Sequence, residues 1–350
     1  MTQAADAEPC DVCGAPGPFE AVVTISLCGV YDAGIGRCPR CGFRQIRPRL
    51  SADELTALYP EAYFDPAQAI GYSAYAREQQ RAEREAWFLA RVVRKLGPRP
   101  RVLEVGCALG FTLDALRRFA SCEVTGVDVS AFAARFAERA FGLNVRAGTL
   151  EEARFPEGSF DLILQKDLLE HVLSPRAHLR ETFRVLAPGG LVWLVTPNGE
   201  TNVRPLVRRA REEQAARSGM LAMIDQGHLS YFSRANLERL FRETGFEILS
   251  VHTIHLKRGL RALGYLPRRR SREKLAPSGR ARGQEQPAPD ASIPDDALLD
   301  RLSESLRTLH RTHRSAPWYY GARRAMRSLG ALPGALDLGL DFECWLRKPR

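Results

Sequence analysis

The residues best placed to do chemistry begin at Glu104-Val-Gly106-Cys-Ala108-Leu-Gly110 and continue at Asp128, which ends the run Cys122-Glu-Val-Thr-Gly-Val-Asp128. A short β-branched run that breaks into a glycine turn and then a helix offers backbone N–H groups to a nucleotide-like ligand. Gly106 and Gly110 permit a sharp turn and a close approach, because no Cβ stands in the way. An acid ~20 residues further on, at the end of the next strand, accepts hydrogen bonds from ribose hydroxyls. The spacing departs from a dinucleotide fingerprint. Phe111 stands where that fingerprint has its third glycine, and Glu104 inside the strand end would repel a pyrophosphate.

Four of the eight cysteines make a second candidate centre. Cys10-Asp-Val-Cys13-Gly and Cys38-Pro-Arg-Cys41-Gly are tight knuckles, each bringing two thiolates to one metal, with a glycine that lets backbone N–H groups face the sulfurs. Two knuckles complete a tetrahedral zinc site with no open position, so the zinc is expected to be structural. The interval between them fits a hairpin built around residues 22–27. Cys28, Cys107, Cys122 and Cys344 read as ordinary buried thiols.

Two histidines are candidate general bases. His171 ends Asp167-x-x-Glu170-His171. On a helix those three side chains would share a face and offer three ligands to a divalent metal, although the reading without metal is preferred. His228 follows Asp225-Gln-Gly227 and precedes Tyr231-Phe232, an aromatic pair suited to the wall of an acceptor pocket. Its alternative role is to cap the helix that starts near Ser233.

Alternating strand and helix patterns position these groups. Residues 76–96 read as a helix, with Trp87, Phe88, Val92 and Leu96 as its apolar stripe and Gly97-Pro98 as its end. Strands follow at 101–105, 123–127, 144–147, 160–165 and 191–196, with helices from near Phe111, from Ser130 and from Ser174-Pro175. Because ligands of such sheets lie beyond the strand C-terminal ends, Thr149, Leu150, Gln165, Lys166 and Asp167 face the same region as Asp128 and Val129, with Pro197 and Asn198 at the mouth of the fifth strand. The segment 341–346, after a long interval, reads as a seventh strand, which makes 256–338 an insertion. The middle of that insertion is rich in Arg, Pro, Ser and Gln and is expected to be disordered. Helices are expected at 295–312 and 317–330, the first with Leu298, Leu299, Leu302, Leu306 and Leu309 on one face.

With Glu104-x-Gly106-x-Ala108-x-Gly110, Asp128, Phe160-Asp-Leu-Ile, Glu170-His171-Val172, Leu186-x-Pro188-Gly-Gly190 and Thr196-Pro-Asn198 in this order, the chain resembles the class I S-adenosylmethionine (SAM) dependent methyltransferases. Their first motif has glycine where Ala108 stands. The knuckles and Tyr59-Pro-x-x-Tyr63-Phe add a resemblance to bacterial members with an N-terminal zinc-binding segment, associated with sugars, surface glycans and secondary metabolites. The resemblance implies an α/β, Rossmann-like seven-stranded methyltransferase sheet with an N-terminal zinc ribbon and a helical insertion before the last strand. It implies SAM held by Glu104, Gly106, Ala108, Gly110, Asp128, Val129, Thr149, Leu150 and Gln165, with Tyr72 closing over it, and His228 or His171 as base. Some members carry a Glu-x-x-Glu-His metal motif, of which Asp167 would replace the first acid.

The domain reading is 1–50 zinc ribbon, 51–97 aromatic linker and covering helix, 98–255 plus 339–350 SAM-binding domain, and 256–338 basic insertion. The expected activity is methyl transfer to a small-molecule or glycan/sugar-type acceptor, phosphate- or lipid-linked forms included, by O- or C-methylation. The alternatives are an RNA methyltransferase and a non-catalytic binding module. A net charge of +10 fits an anionic partner, yet arginine far outnumbers lysine and the excess gathers in the insertion, at Arg268-Arg-Arg270, Arg272 and Lys274. The Asn/Asp-Pro-Pro-Tyr/Phe motif of amine methylation is absent after the fourth strand, where Gln165-Lys-Asp stands, which speaks against nucleic acid. No run reaches the ~20 apolar residues of a membrane span, so a cytoplasmic chain is expected. Trp318-Tyr-Tyr320 beside Arg323 and Arg324 suits a peripheral membrane contact.

Overall fold

In the computed structural model, residues 8–27, 31–59, 75–215, 222–224, 227–255, 337 and 339–350 are described. Cys28, Tyr72 and the helices expected at 295–312 and 317–330 lie outside them.

A seven-stranded sheet forms the centre. Its strands are β4 (Arg101–Val105), β5 (Glu123–Asp128), β6 (Asn144–Ala147), β7 (Phe160–Lys166), β8 (Leu186–Pro197), β11 (Glu247–Ile254) and β12 (Asp341–Arg347). Their order is β11-β12-β8-β7-β4-β5-β6. The five strands from β6 to β8 are parallel, and β12 runs antiparallel between β8 and β11. The segment expected as a seventh strand therefore completes the sheet. It is an inner strand, and its alternate residues Phe342, Cys344 and Leu346 are fully buried.

Helices cover both faces, which is why the central strands are apolar at successive positions rather than alternately. On one face Leu103, Ile163, Val192 and Leu194 pack under α5 (Pro175–Val185) and α7 (Arg234–Thr244). On the other, Val102, Leu162, Leu164 and Trp193 meet α2 (Tyr75–Leu96) and α3 (Phe111–Phe119). α4 (Ala131–Phe141) completes the layer beside β5 and β6, capped by the Ser130 hydroxyl. Of the stripe expected on α2, Phe88 and Leu96 pack against this layer, whereas Trp87 turns outward. The buried face is Ala82, Ala86, Leu89, Ala90 and Val93, and Trp87 is 40% exposed. Small alanines let α2 lie close on α3, a packing reason that outweighs residue size.

The N-terminal segment builds a second sheet, of order β10-β3-β2-β1-β9. The strands β1 (Glu20–Leu27), β2 (Tyr31–Arg37) and β3 (Arg44–Arg47) form an antiparallel meander. Both flanking strands come from beyond the fifth parallel strand: β9 (Ala222–Ile224) pairs with β1, and β10 (Ser230–Tyr231) with β3. α1 (Ala52–Ala57) follows β3, with a reciprocal cap between Ser51 and Glu54. α6 (Gly199–Ala215) leads from β8 towards β9, and the Arg44–Glu200 ion pair at 2.7 Å joins it to β3. A Cβ on Gly199 would stand 2.7 Å from the Tyr231 carbonyl carbon, so only glycine allows this backbone crossing. Among the described residues, no helix is long and apolar enough to cross a membrane.

Candidate active site

The loop from β4 to α3 holds a chain of left-handed residues, with φ of 72° at Gly106, 46° at Ala108 and 77° at Gly110. Ala108 thus keeps the conformation of the glycine usual in this motif. The Asp128 carboxylate, at the end of β5, fastens the loop by accepting from the Ala108 N–H at 2.8 Å and the Ser130 N–H at 2.9 Å. The Gly148 N–H donates to the Asp128 carbonyl at 2.8 Å, which brings the β6 loop alongside. The strand ends of β4, β5 and β6 therefore meet at one residue, Asp128.

Glu104 lies under this loop, buried, with Oε2 lacking any hydrogen-bond partner. Burial pushes its carboxyl up to about 8, against the pull of the nearby Lys166 ammonium. Val129, next to Asp128, is 40% exposed, unusual for an apolar residue beside a buried acid. A buried acid with one unpartnered oxygen, an apolar ledge and a row of backbone turns fit a cationic ligand with a flat ring, as SAM is.

Other residues expected near the cofactor also have partners within the protein. Gln165 is fully buried, and its amide donates to the Thr182 hydroxyl of α5 at 2.8 Å. It points into the α5 side because alternate strand residues face opposite layers. Lys166 and Asp167 mark the strand end, paired with Glu85 at 2.8 Å and Arg81 at 3.4 Å, both on α2. Leu150 is a core residue, and the Thr149 hydroxyl accepts from the Glu152 N–H at 3.2 Å.

The two candidate bases come together. Their rings stand edge to face with centroids 4.9 Å apart. The segment between Asp167 and Ser174 is a run of turns, not a helix, and α5 begins only at Pro175. The helix face expected to align Asp167, Glu170 and His171 does not exist, and Asp167 turns to Arg81 instead. Ser233 caps α7 with its own side chain, so His228 has no capping role. Glu170 is buried beside them, and its carbonyl accepts from the Leu229 and Ser230 N–H groups at 2.8 and 3.0 Å. The Ile46 N–H of β3 donates to the Leu229 carbonyl at 2.9 Å. His228 is thus held between the β7 loop and the N-terminal sheet.

Burial drives His171 down to about 4 and His228 well below its ordinary value, the latter helped by the neighbouring His171. Burial therefore favours the neutral form of both imidazoles. Glu170 moves the opposite way, well upward, first through burial and then through the charge of Asp167. Tyr59 was legible only as part of an aromatic stretch, yet its hydroxyl lies 2.7 Å from His171 Nδ1. No local signal could have shown that contact, because 112 residues separate the two in sequence.

The cysteines converge as expected from their spacing. Their sulfurs lie within 4.8 Å of one another, with 3.6 Å for both Cys10–Cys41 and Cys13–Cys38. The knuckles match: Gly14 N–H donates to the Cys10 carbonyl and Gly42 N–H to the Cys38 carbonyl, both glycines having positive φ. Cys107 and Cys344 are buried thiols, whereas Cys122 is half-buried. The knuckles sit on the methyltransferase-type layer. Phe43 stacks on Phe232 at 5.4 Å, the Arg176 guanidinium donates to the Asp11 and Val12 carbonyls, and the Asn236 amide donates to the Cys41 carbonyl.

Sheet order, glycine loop and strand-end acid define a protein class. A family model described as a methyltransferase domain matches residues 75–251, half of the chain, and the chain belongs to that family, the class I SAM-dependent methyltransferases. Over 143 residues it is 27% identical to a ubiquinone biosynthesis O-methyltransferase of Parvibaculum lavamentivorans, covering 40% of this chain and 56% of that protein. It is 30% identical over 155 residues to a sterol 24-C-methyltransferase of Aspergillus fumigatus, covering 41% of each. The chain spans about half the length of the curated relatives it matches. Among solved structures, a geranyl diphosphate methyltransferase in complex with SAM superposes with a TM-score of 0.45 at 16% identity, covering 82% of this chain and 94% of that one.

Proposed function

We propose that this chain moves the methyl group of SAM to an oxygen or carbon nucleophile of a small-molecule or glycan/sugar-type acceptor. The observation that carries this reading is the pairing, at one end of the sheet, of the Glu104–Gly110 loop and Asp128 with the buried group Glu170, His171 and His228. Methyl transfer from a sulfonium is an in-line displacement, so the protein mainly has to align donor and acceptor and remove one proton. Gly106, Ala108 and Gly110 hold the amino-acid end of SAM, with its ammonium supplying a partner for the orphaned Glu104 oxygen. Asp128 takes the ribose, and Val129, Thr149 and Leu150 border the adenine. His228 accepts the acceptor's proton, with His171 as the second candidate. The printed names of the relatives, an O-methyltransferase of ubiquinone biosynthesis and a sterol C-methyltransferase, support a small-molecule acceptor.

Cys10, Cys13, Cys38 and Cys41 hold a structural zinc ion in this reading. Four thiolates suit a closed tetrahedral site, which leaves no coordination position for substrate.

The test is SAM binding by calorimetry, followed by a methyl-transfer screen against nucleotide-sugars, lipid-linked glycans, phenolic small molecules and RNA. His228→Ala and His171→Ala are run in parallel. Transfer to a small molecule that slows in either variant is the expected result. Transfer unchanged in both would remove the base assignment, and transfer to RNA alone would overturn the acceptor class.

A further inference from the structure

His171 Nδ1 faces two oxygens from distant parts of the chain, the Tyr59 hydroxyl at 2.7 Å and the Gly227 carbonyl at 3.1 Å. A carbonyl has no proton to give, so a hydrogen bond to it requires the ring proton to sit on Nδ1. In the opposite tautomer the Nδ1 lone pair would meet the carbonyl lone pairs, a repulsion that a donating Tyr59 offsets only in part. With Nδ1 protonated, the Tyr59 oxygen accepts a share of the same N–H and Nε2 keeps its lone pair. Glu170 Oε1 stands 3.7 Å from Nε2, too far for a hydrogen bond, so that nitrogen is not committed to the acid. The His171 side chain is 17% exposed, so the ring is not sealed off from a ligand.

The elements hold Tyr59 in this place. Its N–H donates to the Thr56 carbonyl at 3.0 Å, closing the turn after α1, and its ring packs on the core of the N-terminal sheet beside the buried Leu58. Gly227 has a φ of 62°, and a Cβ there would stand 3.2 Å from the Tyr59 oxygen, so backbone and space both favour glycine.

We propose that Tyr59 is a positioning residue for His171 and the exit of a proton relay that runs from the acceptor through Nε2 and Nδ1 to the Tyr59 hydroxyl. The relay rests on the methyl-transfer reading and takes its His171 arm. An ordinary base at this place would carry a charge that burial resists, since the imidazole is held down to about 4. A base that far below neutral takes a proton poorly. The relay avoids the charge. As the O–H bond of a hydroxyl acceptor breaks, its proton bonds to Nε2 and the Nδ1 proton passes to the Tyr59 oxygen. The hydroxyl proton of Tyr59 leaves to water, which the half-buried position of the ring allows. The acceptor oxygen lone pair forms the bond to the methyl carbon, and the electrons of the breaking C–S bond stay on sulfur. Imidazole and phenol both end neutral. After product release Nε2 loses its proton to water, Tyr59 returns one to Nδ1, and water replaces it, so one proton leaves per turnover.

The test starts without an acceptor. Nitrogen-15 NMR of the full chain, labelled at histidine and assigned with His171→Gln, reads the tautomer directly. The expected result is a proton on Nδ1, with a downfield resonance that moves upfield and exchanges faster with water in Tyr59→Phe, which keeps the ring packing. SAM affinity of each variant reports whether it is folded. A proton on Nε2 in the unaltered chain, or a His171 signal unmoved by Tyr59→Phe, overturns the positioning role. With a hydroxyl acceptor from the transfer screen, Tyr59→Phe is expected to lower kcat by at least about tenfold at unchanged SAM affinity. The dependence of kcat on deuterium fraction should change from curved, with several protons moving together, to linear. An unchanged rate and curvature overturn the relay and leave the proton to His228. Transfer to no acceptor, with the tautomer as expected, would overturn the methyl-transfer reading and leave the positioning of His171 standing.

Discussion

Single residues carry opposite pH signatures here. His171 has an ordinary value of 6.5 and is held near 4 in the folded chain, so between those values only the unfolded chain takes up its proton. The stability it contributes is present above 6.5 and lost as pH falls towards 4. Glu104 runs the other way, from an ordinary 4.5 to about 8 when folded. Its contribution is present below 4.5 and lost as pH rises towards 8. Glu104→Gln should therefore flatten the loss of stability across that upper window, which denaturant unfolding at a series of pH values would measure; an unchanged slope would show that another group titrates. The same shift couples to the cofactor. An ammonium beside Glu104 favours the ionised carboxylate, so SAM binding below pH 8 should release a proton. Calorimetry in buffers of different ionisation enthalpy reads that release, and Glu104→Gln should abolish it. At the acceptor side, His228→Ala should lower kcat by roughly a hundredfold or more, the usual worth of a placed base.

Elements explain why those residues meet. α5 begins with the Ser174 cap, and the Ser174 hydroxyl also donates to the Asp11 carboxylate at 2.8 Å, tying the first knuckle to the helix N-terminus. Arg176 adds donors to two knuckle carbonyls and an ion pair with Glu243 of α7 at 2.6 Å. Arg176→Ala leaves those carbonyls unpaired, and a loss of about 1–3 kcal/mol is expected in denaturant unfolding. A loss confined to zinc affinity, with unfolding unchanged, would mean that the knuckle folds independently of α5. At the other edge, β12 is hydrogen-bonded on both sides, to β8 and to β11. Removal of residues 341–350 should abolish cooperative unfolding, as followed by circular dichroism, because it exposes an inner sheet edge and empties the positions of Phe342, Cys344 and Leu346.

At the scale of the whole molecule, the two sheets share one stretch of chain. Residues 227–231 leave Glu170, pass His228 and pair with β3, so the cysteine-bearing segment and His228 are mechanically joined. If the four cysteines hold zinc as proposed, a chelator that strips it should lower the melting temperature. It should reduce kcat more than SAM affinity, since the Glu104–Asp128 loop has its own support. An equal loss of both would argue for general unfolding instead. The net charge of +10 sets a further test. A small-molecule enzyme should show little salt dependence of KM, whereas RNA binding would weaken steeply with salt through counterion release.

Much of this was readable in the chain itself, and the unread part has a common physical cause. The glycine loop, Asp128, the parallel strands and the knuckles are local patterns in which neighbouring residues dictate turn, period and metal spacing. The distant segment 341–346 was also legible, since its apolar content left a sheet incomplete without it. The exposed side of α2 was misread because helix packing chose small alanines over large apolar residues. That the Gln165 amide reaches Thr182 was not legible, because strand register, which decides the layer a side chain enters, is set by neighbouring strands. The Asp167-to-His171 run looked helical by spacing alone, but its backbone is taken up by the segment that carries His228. Sequence by itself therefore determined the class of the protein and its glycine loop, because those depend on contacts within a turn or two. Only the tertiary structure decided that Tyr59, Glu170, His171 and His228 come together, because that grouping is made by contacts between chain segments far apart in sequence.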